Sequence, residues 1–355
     1  MIVFMVSFGC DGLASVQTSR PRGVRVKRRE FVGLAVGAGV GWPLAAWAQP
    51  RNKMRRLGVL MASLASDGEG QKRAAALAQG LDALNWRDGG NLSIDWRWAG
   101  GDPALFQRYA AEMVQLGPEA LVAEASPSVE ALRRQTGTIP IVFLIVTDPV
   151  GQGFVQSLAR PGGNITGFSN YDPPMAGKWL GMLTQITPPV ARVAVLYNPS
   201  TAPYAGLYLR TIEDIAPAFA VTVETAPVRD DAAIEATIAR LTREERAGLM
   251  VLPDTFTRLH RDAIVALAAR YHLPAVYPFG YFASSGGLMA YGIDIENLFR
   301  RSAGYVDRLL NGAKASDLPV QQPTKFTLVI NLKTAEALGV TVPLVLLGSA
   351  DEVIE

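Results

Sequence analysis

The residues able to do chemistry in this chain are small, polar and grouped. Ser63 and Ser66, then Ser126 and Ser128, then Thr147 and Asp148 each follow a short apolar run in the first half. Asn198, Ser200 and Thr201, then Asp254 and Thr255, then Tyr277 and Tyr281 repeat the arrangement in the second half. Each group falls between an expected strand and the next expected helix. Hydroxyls and the N–H groups of a helix N-terminus suit a carboxylate there, and Asp148 or Asp254 suits an ammonium. Phe279, Tyr281 and Trp98 add rings able to stack on an apolar or aromatic ligand. Taken singly, Ser, Asn and Asp are also ordinary N-caps and turn formers. Convergence on one cleft is what would make them a site.

Covalent and metal chemistry find less material. The chain has one cysteine, Cys10, and two histidines, His260 and His272. That excludes an internal disulfide framework and a Cys-based zinc site, and no metal or cofactor is expected. Neither a G-x-x-x-x-G-K-[ST] phosphate loop nor a G-x-S-x-G nucleophile elbow occurs. Gly151-Gln152-Gly153 with Asp172 downstream superficially suggests a dinucleotide fingerprint. Its third glycine position is Gln156, and Asp148-Pro149 separates it from the strand. His260, on a helix expected over 257–271, reads as a surface residue, and His272 as a helix-end cap. Trp86, Trp96 and Trp98 read as core or cleft-lining residues.

The positioning elements alternate strand with helix. Arg56–Met61, Leu92–Trp96, Leu121–Ala123 and Ile139–Val146 read as strands. Lys72–Leu84, the stretch from Asp102-Pro103 to about Leu116, and Ser126–Thr136 carry helical periodicity. Asp102 is the expected N-cap and Pro103 the first helical residue. The second half echoes the first. Arg192–Tyr197 follows the first strand by 136 residues (Leu57 to Val193), and Gly248–Leu252 follows Leu121–Ala123 by 128 (Leu121 to Leu249). His272–Tyr277 follows Thr138–Phe143 by 134 (Thr138 to His272). Such alternation predicts an α/β fold of two Rossmann-like, doubly wound lobes, with ligands held outside the carboxyl ends of the strands.

Charge is uneven along the chain. Residues 1–56 hold ten Lys/Arg against two Asp/Glu, which leaves 24 basic against 30 acidic residues in the body. An acidic body argues against nucleic acid as a partner. Arg28 and Arg29 precede a Gly-rich apolar stretch that ends in Ala46-Trp47-Ala48. Residues 1–48 therefore read as an N-terminal extension with a Tat-like signal cleaved after Ala48. The apolar stretch, broken by Pro43, is short for a membrane span of about 20 residues. A periplasmic location follows as an expectation.

Four stretches resemble the ABC-transporter substrate-binding protein family that includes tryptophan-binding lipoproteins. They are KRREFVGLAVGAGVGWPLAAWAQ, IPIVFLIVTDPVGQGFVQSLARPGGNITG, DPPMAGKWLGMLTQITPPVARVAVLYNP and QPTKFTLVINLKTAEAL. The resemblance implies a type I periplasmic-binding fold with a three-strand hinge. Lobe 1 would comprise 54–168 plus 288–320, and lobe 2 would comprise 169–287 plus 321–350. It implies a small-molecule ligand handed to a membrane ABC permease by a monomeric receptor. Carried onto this chain, the family pattern marks Ser126, Thr147, Asp148, Asn198, Asp254 and Asp294. Ser63 and Tyr281 complete the expected ligand set.

The function expected from these residues is a receptor that closes on an amino-acid-like or aromatic solute. Two rivals remain at this point. One is a periplasmic α/β enzyme using Asp254 with His260 or His272, and the other is a ligand-sensing module for a membrane kinase.

Overall fold

The computed structural model describes residues 54–355, so the expected signal over 1–48 lies outside the described residues. The body begins β1 (Arg55–Met61), α1 (Gly68–Ala83), β2 (Leu92–Trp98), α2 (Pro103–Gln115), β3 (Ala120–Glu124), α3 (Ala125–Gln135), β4 (Ile141–Val146) and β5 (Ile165–Ser169). These five strands pair in parallel in the order β2-β1-β3-β4-β5. The sheet is apolar through its centre because helices cover both faces; all residues of β3 are buried. Local capping sets the helix starts. Asp102 accepts from the N–H groups of Ala104 and Leu105, and Asp67 accepts from Gly70 at the start of α1.

The chain continues as α4 (Met175–Gln185), β6 (Arg192–Tyr197), α5 (Ala205–Ile215), β7 (Thr222–Pro227), α6 (Asp231–Leu241) and β8 (Ala247–Val251). Then follow α7 (Thr255–Leu259), α8 (Arg261–Arg270), β9 (Ala275–Tyr277), α9 (Gly280–Ser284), β10 (Met289–Ile293) and α10 (Ile295–Leu310). The last elements are β11 (Phe326–Asn331), α11 (Leu332–Leu338), α12 (Leu344–Gly348) and β12 (Glu352–Ile354). The second sheet runs β12-β11-β10-β9-β8-β6-β7, with β11 antiparallel to β10. The single helix expected over 257–271 is two, α7 and α8, because the backbone leaves helical geometry at His260.

The duplication extends to the register. Leu57 lies opposite Ala120, and Val193 lies opposite Gly248. Leu121 lies opposite Ile141, and Leu249 lies opposite Ala275. The offsets of 136, 128 and 134 residues read from the sequence therefore carry one lobe's strand pairing onto the other's.

Three crossovers join the lobes. The first follows β5, the second follows β10, and the third follows Gln321, whose N–H bonds Gly167 O at 2.9 Å alongside β5. Tyr171, on the first crossover, donates its hydroxyl to Pro278 O and accepts from Ile293 N at 3.1 Å, tying it to the second. Gln322 Nε2 donates to Asp172 Oδ2 at 2.8 Å, tying the third to the first. The switch of lobes differs from the expected boundary at 288. β10 pairs with β9 and β11 in the second sheet, so the chain returns to the first lobe at Asp294. An apolar strand such as Met289–Ile293 suits either sheet; its antiparallel partner β11 decides.

α10 returns to pack along α1. At Gly80 the two approach so closely that an added Cβ would stand 2.4 Å from Arg300 O and 2.8 Å from Ala303 Cβ. Gly80→Ala should therefore destabilise the chain by about 1–3 kcal/mol, as overpacking does. A urea-unfolding midpoint equal to that of the native chain would contradict this close approach. Among the described residues no helix is long and apolar enough to cross a membrane.

Candidate functional site

The carboxyl ends of the strands from both lobes face one another across a cavity of about 20 Å³. Glu124, Ala125, Ser126 and Ile145 line it from the first lobe, and Asn170 lines it from a crossover. Thr201, Tyr204, Pro253, Asp254, Thr255, Arg258 and Phe279 line it from the second lobe. Two of the first-lobe residues hold left-handed backbone, Ala125 with φ 65° and Ile145 with φ 57°. The register of β4 against β5 shifts between Leu144 and Val146, so Ile145 is the bulged residue. A β-branched residue in this region costs of order 1–3 kcal/mol. Here the strain falls on the cavity wall.

Beside the cavity lies a charge network built from both lobes. Glu124 ends β3 with its side chain 1% exposed, as does that of Arg73 from α1. The Glu124 carboxylate accepts from Ala62 N at 2.8 Å, Ser63 N at 3.2 Å, Ser63 Oγ at 3.0 Å and Arg73 Nη1 at 2.7 Å. Burial alone would raise its pKa. The guanidiniums of Arg258 and Arg73, with the bonds from Arg73 and Ser63, outweigh burial and hold it at about 2. Arg258, on α7 of the opposite lobe, donates to Ser63 Oγ at 2.7 Å and lies 3.9 Å from both Glu124 and Asp67. Arg261 donates to Asp67 Oδ1 at 2.9 Å. Three cations thus meet two carboxylates. Arg73 Nη2, Arg258 Nη2 and the Tyr281 hydroxyl are buried without hydrogen-bond partners. Such donors are expected to be filled by something polar.

Asp254 stands on the other wall with the opposite electrostatics. It caps α7 and accepts from Thr257 N at 2.7 Å, Asn198 N at 3.1 Å and Thr201 Oγ1 at 3.1 Å. No cation pairs with it among the described residues. Burial raises its pKa to about 6, against the lowering effect of those hydrogen bonds. A buried carboxylate with donors but no counter-charge is a place for an ammonium.

The structure brings only part of the expected set to the cavity. Ser126 and Asp254 line it. Ser63 stands one shell behind, joining Glu124 to Arg258. Tyr281 stacks on Phe279 at 5.4 Å, with Arg73 and Arg261 over its ring at 5.4 and 5.7 Å. Burial pushes its hydroxyl up to about 12, even with three arginines lowering it. Four others are absent from the lining of this cavity and hydrogen-bond within the protein. Thr147 donates to Asn170 Oδ1 at 2.7 Å, and Asp148 closes a turn by accepting from Gly151 N at 2.9 Å. Asn198 accepts from Ser200 N at 2.8 Å, and Asp294 caps α10 by accepting from Asn297 N at 2.9 Å. Trp98 stacks on Trp96 at 6.1 Å and does not line the cavity. His260 Nδ1 lies 2.6 Å from Asp231 Oδ1, and His272 is exposed at the end of α8. Neither lines the cavity with Asp254. Among the described residues no cluster of His, Cys, Asp and Glu is placed to hold a metal.

Glu124, Arg73 and Arg258 were not singled out in the sequence as site residues. The one local signal was a glutamate ending an otherwise apolar strand, Ala120-Leu121-Val122-Ala123-Glu124. A charge in that position must be paired.

The two-lobed fold recurs in known proteins. The family described as ABC transporter substrate binding protein matches residues 61–354. A curated tyrosine-binding protein of Clostridioides difficile (strain R20291) is 27% identical over 267 residues, covering 75% of this chain and 76% of its own. The ABC domain of Streptococcus pneumoniae, solved in complex with L-Trp, is 26% identical with a TM-score of 0.78, covering 84% of this chain and 99% of that one. A conserved domain protein from Vibrio cholerae is 28% identical with a TM-score of 0.78, covering 85% and 100%. With the duplicated lobes, the three crossovers and the match over residues 61–354, the chain belongs to the family of ABC transporter substrate binding proteins and has the type I periplasmic-binding fold.

Proposed function

We propose that this chain is an exported receptor that binds one α-amino acid with an aromatic side chain between its lobes and presents it, unaltered, to a membrane ABC permease. The observation that carries the reading is that two buried charged groups with bonding capacity left over line one cavity. Asp254 is a buried carboxylate without a cation, and Arg258 is a buried guanidinium with an unpartnered Nη2. An ammonium answers the first and a carboxylate answers the second. The N-terminus of α3, which has no side-chain cap, adds N–H groups at Ser126 for the same carboxylate. The named ligands of the relatives, tyrosine and L-Trp, are of this class. The Tat-like segment at 25–49 supports export to the periplasm, and the cross-lobe bonds Arg258–Ser63 and Arg261–Asp67 support closure of one lobe on the other.

Thermal melts with L-tryptophan, L-tyrosine, tryptamine and indole-3-propionate test the head-group requirement. The amino acids should raise the melting temperature, since a ligand at a hundred times its Kd adds about 2.7 kcal/mol. The two analogues, each lacking one charge, should not. Equal shifts with tryptamine or with indole-3-propionate would sink the zwitterion reading.

A further inference from the structure

The lobes grip each other beyond the three crossovers. α7 and the first residue of α8 reach from the second lobe into the first. Arg258 enters with its side chain 5% exposed, donates to Ser63 Oγ at 2.7 Å and lies 3.9 Å from Asp67 and Glu124. Arg261 donates to Asp67 Oδ1 at 2.9 Å, and the Asp67 side chain is 8% exposed. Leu259, between them, presses on the turn before α2: a Cβ at Gly101 would stand 2.5 Å from its Cδ1. The Arg73 guanidinium of the first lobe lies over the ring of Tyr281 in the second. Every partner in this contact belongs to the chain itself. The charges are divided as well. The first lobe brings two carboxylates and one guanidinium, Asp67, Glu124 and Arg73, and the second brings the guanidiniums of Arg258 and Arg261, with Asp262 exposed beside Arg261. Opposite charges so arranged draw the lobes together before any solute arrives. The contact leaves about 20 Å³ among the strand ends, room for a group on the order of one water molecule. An amino acid in that cavity and this contact therefore exclude each other.

We propose that this contact is an autoinhibitory latch: Arg258 and Arg261, docked on Ser63, Asp67 and Glu124, hold the lobes shut without solute, and solute enters only the fraction of chains in which the latch has parted. The proposal goes beyond the receptor reading and holds for any solute class. The apparent Kd is then the intrinsic Kd divided by the parted fraction. Asp67 and Arg261 do not line the cavity, so they set affinity without touching the solute. Weakening the latch raises the parted fraction and tightens binding. Cross-lobe bonds that formed only over a bound solute would do the reverse, since losing them would weaken binding. The sign of the change separates the two.

Asp67→Asn and Arg261→Ala weaken the latch from either side, and one folded variant suffices for the test. Asparagine keeps an oxygen for Gly70 N, and with it the cap of α1, while losing the charge that faces two arginines. Small-angle X-ray scattering of the chain without added solute reads the separation of the lobes, and calorimetry with L-tryptophan reads affinity. The native chain should show the smaller radius of gyration and the variants a larger one. L-Tryptophan should bind the variants roughly tenfold more tightly, the change expected when one charge-assisted hydrogen bond no longer opposes opening. A native radius equal to that of the folded variants overturns the proposal, as does a tryptophan affinity that is unchanged or lower in them. A radius that grows in the variants, with no tryptophan binding to any of the chains, upholds the latch and fails the aromatic amino-acid reading.

Discussion

Glu124→Ala is expected to cost the fold about 3–5 kcal/mol at neutral pH, the loss that follows when one partner of a buried charge network is removed. Four donors lose their acceptor, and Arg73 and Arg258 are left facing each other without the carboxylate between them. For a body of this size the melting temperature should drop by roughly 10 °C. Replacing the pair together, as Glu124→Leu with Arg73→Met, should recover part of the loss, because the uncompensated charge goes with it. The sign in pH is fixed as well. With its folded pKa held at about 2, below the ordinary 4.5, Glu124 stabilises the native chain above pH 4.5, and that contribution is lost as pH falls toward 2. Glu124→Ala should lack this acid limb. A variant melting within a degree or two of the native chain would show that the network carries little of the fold.

Asp254 should give the opposite behaviour and govern binding rather than folding. Its folded pKa of about 6 stands above the ordinary 3.8, so the folded chain holds the extra proton between those values. Protonation therefore stabilises the empty receptor as pH falls through 6, and above 6 the buried charge is a cost. An ammonium ligand reverses this by pairing with the ionised form. Affinity should be flat above pH 6 and weaken about tenfold per unit below it. Asp254→Asn should fold, keeping a carbonyl oxygen for Thr257 N and Thr201 Oγ1 while losing the bond from Asn198 N, and should bind L-tryptophan at least thirtyfold more weakly, since truncating one side of a buried charge pair costs about 2–5 kcal/mol. Its residual binding should have lost the step near pH 6. Calorimetry from pH 8 to pH 5 checks both. An unchanged affinity, or a step that persists in Asp254→Asn, would remove Asp254 from the ammonium site.

The sequence already contained the lobes. Their repeat could be read because parallel strands buried on both faces leave dense apolar runs, and the duplication kept register as well as order: Leu57–Ala120 maps onto Val193–Gly248. The approximate position of the cleft followed, since strand ends converge wherever two such sheets face each other. Its chemistry was less visible. Arg73, Glu124 and Arg258 lie on α1, β3 and α7, and no local period connects them. Thr147, Asn198 and Asp294 looked alike in sequence to Ser126 and Asp254, because a polar residue after a strand can cap a helix as readily as it can face a ligand. The lobe boundary at β10 was likewise hidden, because the antiparallel partner that fixes it, β11, follows a whole helix later. The left-handed Ile145 has no signal in its residue type, which argues against that conformation.

Equilibration of the purified chain with an equimolar mixture of the twenty amino acids, followed by washing, denaturation and mass spectrometry of what is released, addresses the central claim most directly. An aromatic amino acid should be recovered chemically unchanged, in an amount approaching one per chain. Release of nothing above a blank, or of a transformed product, would contradict it.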